Sequence, residues 1–407
     1  MSCLDGFAVI MMKITTDLFP VRYTNKWGNI RGFGLRAFNR RSYHMALLKV
    51  RSVVIFSCLA LISSLAVSLR GEELAQKASI ASIRVLPMKL NLYVGKTWQF
   101  LATAVDSEGN AIENITFTWS SSKTSLVTID ANGVSHAIKA GTVQIKAGAQ
   151  GKTGTAALTV KNGGQGLTNL FFLHHSTGDG FVTQGNMRGY IKRYNSSHST
   201  VFEFWDHGYN GDGLRDPAGK FPGICYNIPD DNTDPGGLWK LWRGKDSVSV
   251  KSRTIILNNH EVIAFKSCFP NSAIPDQATL NQYKRWYTDM RKFFDTRKDR
   301  VFMVMSTPPL HRLATNPTEA TNARAFANWL KSDAYLKGHV NIVCFNVFDL
   351  LAAPDDGSAT ANMLRYDYEG DHNSDDSHPN ATANRKVGPL LSQALIDAAA
   401  AYFGMDQ

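Results

Sequence analysis

The chain is poor in cysteine, with five among 407 residues. Cys3 and Cys58 lie in the first 70 residues, leaving Cys225, Cys268 and Cys344 in the rest of the chain. Three thiols allow at most one internal disulfide, so a disulfide-stapled scaffold is excluded. A Cys225–Cys268 bond would suit an oxidising compartment. Cys344 stands in an apolar run and reads as buried and inert. The absence of any Cys-x-x-Cys pair argues against a thiolate zinc site. Surplus charge is also missing from most of the chain. The formal charge is +10, but residues 1–51 hold nine Lys/Arg against Asp5 and Asp17, a net of +7. Only +3 remains beyond Arg51. The basic balance therefore gives no argument for a nucleic-acid partner, and none is expected.

One long uncharged apolar run stands out. Residues 52–69 lie between Arg51 and Arg70, with small residues at Ala66 and Ser68. This is the form of a secretory signal or of an uncleaved membrane anchor, with a buried helix as the plain alternative. Met45 as the start would give a basic segment of ordinary size (Lys49, Arg51). Residues 1–79 are therefore expected to be an N-terminal extension with a signal or anchor. The remainder of the chain is expected to be extracytoplasmic: secreted, periplasmic or at the cell surface.

Residues 80–161 alternate over short runs: Leu90, Leu92, Val94; Val127, Ile129; Val143, Ile145; Leu158, Val160. Turn residues separate them at Gly95, Ser107–Asn110, Asn132-Gly133, Gly141 and Gly151. Short strands at this spacing predict a β-sandwich. Val94–Thr97, Thr118–Ser121, Val127–Asp130, Asn132–Val134 and Ala140–Thr142 resemble the bacterial Ig-like group 2 domain, which implies an extracytoplasmic module. Trp119 reads as core filler. Residues 162–166 (Asn-Gly-Gly-Gln-Gly) have linker composition, so the sandwich is expected to carry its own core.

From residue 167 to 407 the pattern changes to strands alternating with helices. Strands are expected at Leu170–Leu173, Val201–Trp205, Val262–Lys266, Val301–Met305 and Asn341–Val347. The clearest helix has Leu280, Tyr283, Tyr287, Met290 and Phe294 on one face. Others fall at about Glu319–Lys331 and Arg385–Tyr402. This alternation predicts an α/β/α three-layer domain with a parallel sheet, whose ligands bind at the C-terminal strand ends. Residues 206–250 read as long loops with a short helix around Leu238–Trp242. Trp239 and Trp242 are candidates for stacking on sugar rings or for core packing.

Three residues carry the chemistry. Ser176, in His174-His175-Ser176-Thr177-Gly178, follows the first strand, and Asp375 and His378 precede the last helix. A Ser hydroxyl needs a base to take its proton, and the base needs a carboxylate to hold its tautomer. The plain alternatives are a helix cap for Ser176 and a satisfied turn histidine for His378. His174 and His175 with His378 or Asp371 are a metal alternative, disfavoured because adjacent residues of a strand face opposite ways. The acidic cluster Asp367, Glu369, Asp371, Asp375 and Asp376 reads as a solvated loop, with calcium as the alternative.

The order Ser, Asp-x-x-His over about residues 167–403 resembles the SGNH/GDSL hydrolase superfamily, with Lys266–Ser272 and Thr307-Pro308-Pro309 like a bacterial branch of it. The resemblance implies a serine esterase without metal or organic cofactor, acting on an ester such as an acylated carbohydrate. Its oxyanion donors would be the Ser176 N–H, an N–H of Gly208 or Gly211, and the Asn271 amide. Two features depart from the family: His-His-Ser replaces Gly-Asp-Ser, and the Gly-x-Asn-Asp block is absent. An α/β-hydrolase elbow is excluded because His174 stands where it needs Gly. The other reading is a non-catalytic surface protein that keeps the fold and binds cell-surface glycan.

Overall fold

The computed structural model describes residues 79–163, 168–232, 234–269 and 272–403. The expected signal or anchor, most of the expected linker and Asn271 lie outside the described residues. An Ig-like β-sandwich precedes an α/β domain with a parallel sheet, the architecture expected from the sequence.

The sandwich strands are β1 (Ser82–Leu86), β2 (Lys89–Tyr93), β3 (Thr97–Gln99), β4 (Leu101–Val105), β5 (Ala111–Ile112), β6 (Thr118–Ser121), β7 (Val127–Ile129), β8 (Val134–Ala137), β9 (Gly141–Ala149) and β10 (Lys152–Lys161). They form small sheets in the orders β1-β4-β5, β2-β10-β9-β6 and β3-β8-β7. Val143, Ile145 and Ala147 of β9 face inward opposite Leu158, Ala156 and Gly154 of β10, and most of their neighbours along the strands are polar and face out. This is the period-two pattern of half-buried strands. Gly133 turns the chain at φ +79°, and a Cβ there would meet the Trp119 ring at 2.8 Å. Trp119 is half-buried and packs against the core.

The α/β domain contributes β11 (Asn169–Leu173), β12 (Glu203–His207), β13 (Leu214–Arg215), β14 (Val262–Phe265), β15 (Val301–Met305) and β16 (Ile342–Phe345). Its sheet order is β13-β12-β11-β14-β15-β16, parallel except for β13 at the edge. The helices are α1 (Thr177–Thr183), α2 (Met187–Ser197), α3 (Pro235–Arg243), α4 (Ser247–Asn259), α5 (Gln277–Phe294), α6 (Pro317–Leu330), α7 (Asp333–Leu336), α8 (Val347–Leu351) and α9 (Ala381–Phe403). One sheet face buries Phe171, Leu173, Ile263, Phe265, Phe302 and Val304 under α3 to α6. The other buries Leu170, Phe172, Val262, Ala264 and Met303 under α1, α2, α8 and α9. Strands buried on both faces read as continuous apolar runs, which makes them legible in the sequence. Helix α4 is not, because Ile255, Ile256 and Leu257 adjoin rather than recur at helical spacing.

The expectation of a separate sandwich core needs correction. Trp98 of β3 is fully buried, and its ring centroid lies 4.6 Å from that of Trp205 on β12. It also meets His260 edge-on, and His260 stacks flat on Phe171 at 4.1 Å. Polar contacts surround this junction. Lys96 Nζ reaches both Glu261 oxygens at 2.9 Å, Thr97 Oγ1 donates to the Asn258 carbonyl, and Asn259 Oδ1 accepts from Gln99 N–H at 2.7 Å. The inward alternation of Trp98 fits an isolated sandwich as well as a shared core, so the sequence could not separate them.

This junction generates two predictions. Trp98→Ala should cost about 3–5 kcal/mol by leaving a cavity against Trp205, and a chain shortened to residues 167–407 should melt earlier and bind hydrophobic dyes. An unchanged melting curve in both would contradict a shared core. The second concerns Glu203 at the start of β12. Burial pushes its carboxyl up to about 7, with Lys161 and Lys96 pulling down and Glu261 pushing up. A raised carboxyl contributes stability that is full below its unfolded value and is lost as pH rises through the folded value. Glu203→Gln should therefore match the parent near pH 4 and melt higher near pH 8. Parallel melting profiles across that range would contradict this.

Candidate active site

The strand order places β12 on one side of β11 and β14 on the other. Chain connections leave β11 in opposite directions here, which opens a crevice at the C-terminal strand ends. His174, His175 and Ser176 come directly after β11, Gly208 and Tyr209 after β12, and Lys266, Ser267, Cys268 and Phe269 after β14.

Ser176 begins the turn into α1 with φ +29° and ψ −93°, a conformation that costs energy for any residue with a side chain. Its side chain does not cap the helix. Its Oγ lies 3.2 Å from His175 Nδ1 and 3.5 Å from Cys268 Sγ. His175 is buried and stacks on Tyr209 at 5.3 Å. His174 packs the other way, with Nε2 3.1 Å from Asp206 Oδ2. Arg188 pairs with the second oxygen of Asp206. Burial alone would push the Asp206 carboxyl up, but His174 and Arg188 outweigh it and hold the group below its usual range. Gly178 is required by this packing, since a Cβ would meet His174 Cβ at 2.4 Å. A pocket of about 330 Å³ opens over Ser176, bordered by His174, His175, Gly208, Tyr209, Asp212 and Arg215.

Lys266 is fully buried at the end of β14, and its Nζ donates to the Ser267 carbonyl at 3.2 Å. Burial pushes its ammonium down to about 8, while Cys268 pulls the other way.

His378 is carried by a loop fastened to the domain beneath it. The buried Glu369 carboxylate meets His311 Nε2 at 3.0 Å, Arg312 Nε at 3.3 Å and His372 Nδ1 at 2.7 Å. Ser377 Oγ accepts from the His311 N–H. Asn380 accepts from the N–H groups of Thr382 and Ala383 at the start of α9, and Asn384 Nδ2 donates to Gln184 Oε1 just beyond α1. Helix α9 thereby docks on the helix that Ser176 begins. The His378 ring stands edge-on to Phe269 at 5.0 Å, next to the Cys268 that touches Ser176. Ser176 and His378 thus flank one short segment, but no hydrogen bond joins them in this structure.

Other expected residues are placed differently. The carboxylate on His378 Nδ1 is Asp376, at 2.5 Å, in place of the expected Asp375. Asp376 Oδ1 also accepts the His378 N–H at 3.0 Å, closing a two-residue turn of the kind Asp side chains form. Partial burial pushes Asp376 up, but its bonds to His378 prevail and hold it low. Asp375 is exposed, and only its carbonyl is engaged, by Ser377. Gly208 borders the Ser176 pocket, whereas Gly211 is exposed and does not. The acidic cluster is not uniformly solvated, because Glu369 is buried among basic partners. The sequence marks the His174-His175 pair but gives no role beside Ser176 to Cys268, Lys266 or Tyr209. Their positions directly after strands were the available signal.

Comparison with known proteins divides the chain. Residues 79–160 match the family model of the bacterial Ig-like domain (group 2). Ice-binding protein 1 of Shewanella frigidimarina is 38% identical over 84 residues, which is 20% of this chain and 9% of that protein. The chain thus spans under a tenth of that relative's length. Domains 4 and 5 of the S-layer protein SbsC align over 20% of this chain and 52% of theirs, at 18% identity and a TM-score of 0.19. A GDSL-like lipase from Bacteroides thetaiotaomicron aligns over 57% of this chain and 89% of its own, at 12% identity and a TM-score of 0.34. The sandwich as a whole thus matches the bacterial Ig-like group 2 model, and it is joined to an α/β domain with Ser176 at its switch point.

Proposed function

We propose that the protein is a serine esterase of SGNH type, secreted or held at the cell surface, that removes small acyl groups from a polar substrate such as an acylated carbohydrate. The observation that carries this reading is Ser176 on a strained turn at the crevice, with the carboxylate-backed His378 on the other side of Cys268-Phe269. His378 takes the Ser176 proton as Oγ bonds to the ester carbonyl carbon. The C–O bond then breaks, and His378 returns the proton to the leaving alcohol. Water, deprotonated by the same imidazole, attacks the acyl-serine and restores Ser176. Asp376 holds the imidazole tautomer and stabilises its charged form. The N–H groups of Ser176 and Gly208 are the proposed oxyanion donors. The polar lining and modest size of the pocket favour a short acyl chain on a hydroxylated partner.

Closure of Ser176 onto His378 has to accompany substrate binding, since catalytic hydrogen bonds are often long in an empty site. The separation of the two groups is also the observation that favours a second reading, a glycan-binding protein that keeps the fold without the chemistry.

Turnover of a simple acetyl ester separates them. His378→Ala should lower kcat/KM by roughly a hundred- to ten-thousand-fold. Asp376→Asn should lower it strongly, and Asp375→Asn should leave it within about threefold of the parent. Equal losses at Asp375 and Asp376 would restore the Asp-x-x-His assignment. Activity should survive EDTA, since no step of this mechanism calls on a metal. Loss in EDTA with recovery on adding a divalent metal would replace the serine mechanism. No turnover of any ester would favour the binding reading.

A further inference from the structure

A second feature lies on the helical surface. Trp239 of α3, Trp286 of α5 and Trp329 of α6 border an open groove of about 700 Å³ that shares no residue with the Ser176 pocket. The core does not account for all this indole surface. Trp242, three residues after Trp239, is fully buried and meets Phe265, Phe294 and Phe302. Trp239, Trp286 and Trp329 are only half-buried, although Trp239 and Trp329 also pack against the core. The Trp239 and Trp286 planes lie within 26° of each other, and those of Tyr283 and Trp286 within 20°. Trp239 and Trp286 are thus nearly parallel where they border the groove.

The polar groups around them have a definite sign. Lys284, Arg285 and Lys292 border the groove against a single acid, Asp289. Asp289 is already engaged by Trp239 Nε1 at 2.8 Å, by Arg243 at 3.1 Å and, more loosely, by Lys292 at 3.8 Å. Lys245 lies over the Trp239 face at 4.4 Å, and Lys284 over Trp329 at 5.9 Å. Gln282 and Thr288 add neutral donors and acceptors.

We infer that this groove binds an acidic polysaccharide. The C–H face of a pyranose ring would stack on the indole of Trp286, since Lys245 and Lys284 already lie over Trp239 and Trp329. Ring hydroxyls would meet Gln282 and Thr288, and carboxylates would meet the lysine and arginine heads. A surplus of two cations suits a polymer with one carboxylate per sugar. It is sparse for a nucleic acid, whose binding rests on many phosphate contacts. The inference does not depend on the serine chemistry, because the two sites are separate.

The test is affinity electrophoresis of the full chain in gels containing polygalacturonate or dextran, with a fluorescence titration against poly(dT). Polygalacturonate should retard the protein far more than dextran, and added salt should relieve the retardation. Trp286→Ala should weaken binding by about tenfold or more. The double variant Lys284→Glu and Lys292→Glu, which changes a half-buried and an exposed residue and removes no core side chain, should abolish it. Ser176→Ala should bind as the parent does, even if no esterase activity is found. Equal retardation by dextran, tighter binding of poly(dT), or undiminished binding in the lysine variant would each overturn the inference.

Discussion

The site depends on where β11 is held. This strand runs between β12 and β14, so its C-terminal end opens directly into the crevice. Its N-terminal end is fixed by one carboxylate: Glu261 accepts from the N–H groups of Thr168 and Asn169 while pairing with Lys96 of the sandwich. Asn169 in turn donates to the Asn259 carbonyl and faces His260 Nδ1 at 3.0 Å. A small shift of β11 would be carried through five buried residues to Ser176. The Ig-like module is therefore part of what holds the α/β domain in place. Through Lys96 and Trp98 it supports the strand that presents Ser176.

The second half of the site is built differently. Ser176 is placed by a strand and by backbone strain, His378 by a loop whose buried Glu369 gathers two histidines and an arginine. Under the proposed mechanism Ser176 and the exposed His378 have still to approach one another. Helix α9 packs on α1, where Gly180 lets Asn384 come close.

Much of this is legible in the sequence. The parallel strands announce themselves as apolar runs, and the sandwich as period-two alternation. Ser176 and His378 stand out by their places after the first strand and before the last helix. The hidden part has a common physical cause, since it concerns which neighbour a side chain meets. Alternation buries Trp98 but cannot name Trp205 as its partner. Asp375 and Asp376 are equivalent in composition, and the turn geometry alone gives His378 Nδ1 to Asp376. Trp239 and Trp242 look alike in the sequence, yet the first is half-buried at the edge of the core and the second is fully buried within it.

The most direct test of the central claim is to treat the full chain with a serine-directed fluorophosphonate and map the adduct by mass spectrometry. A serine mechanism predicts one adduct, on Ser176, that disappears in Ser176→Ala and forms much more slowly in His378→Ala. An adduct on another residue, labelling that ignores His378, or no labelling at all would contradict it.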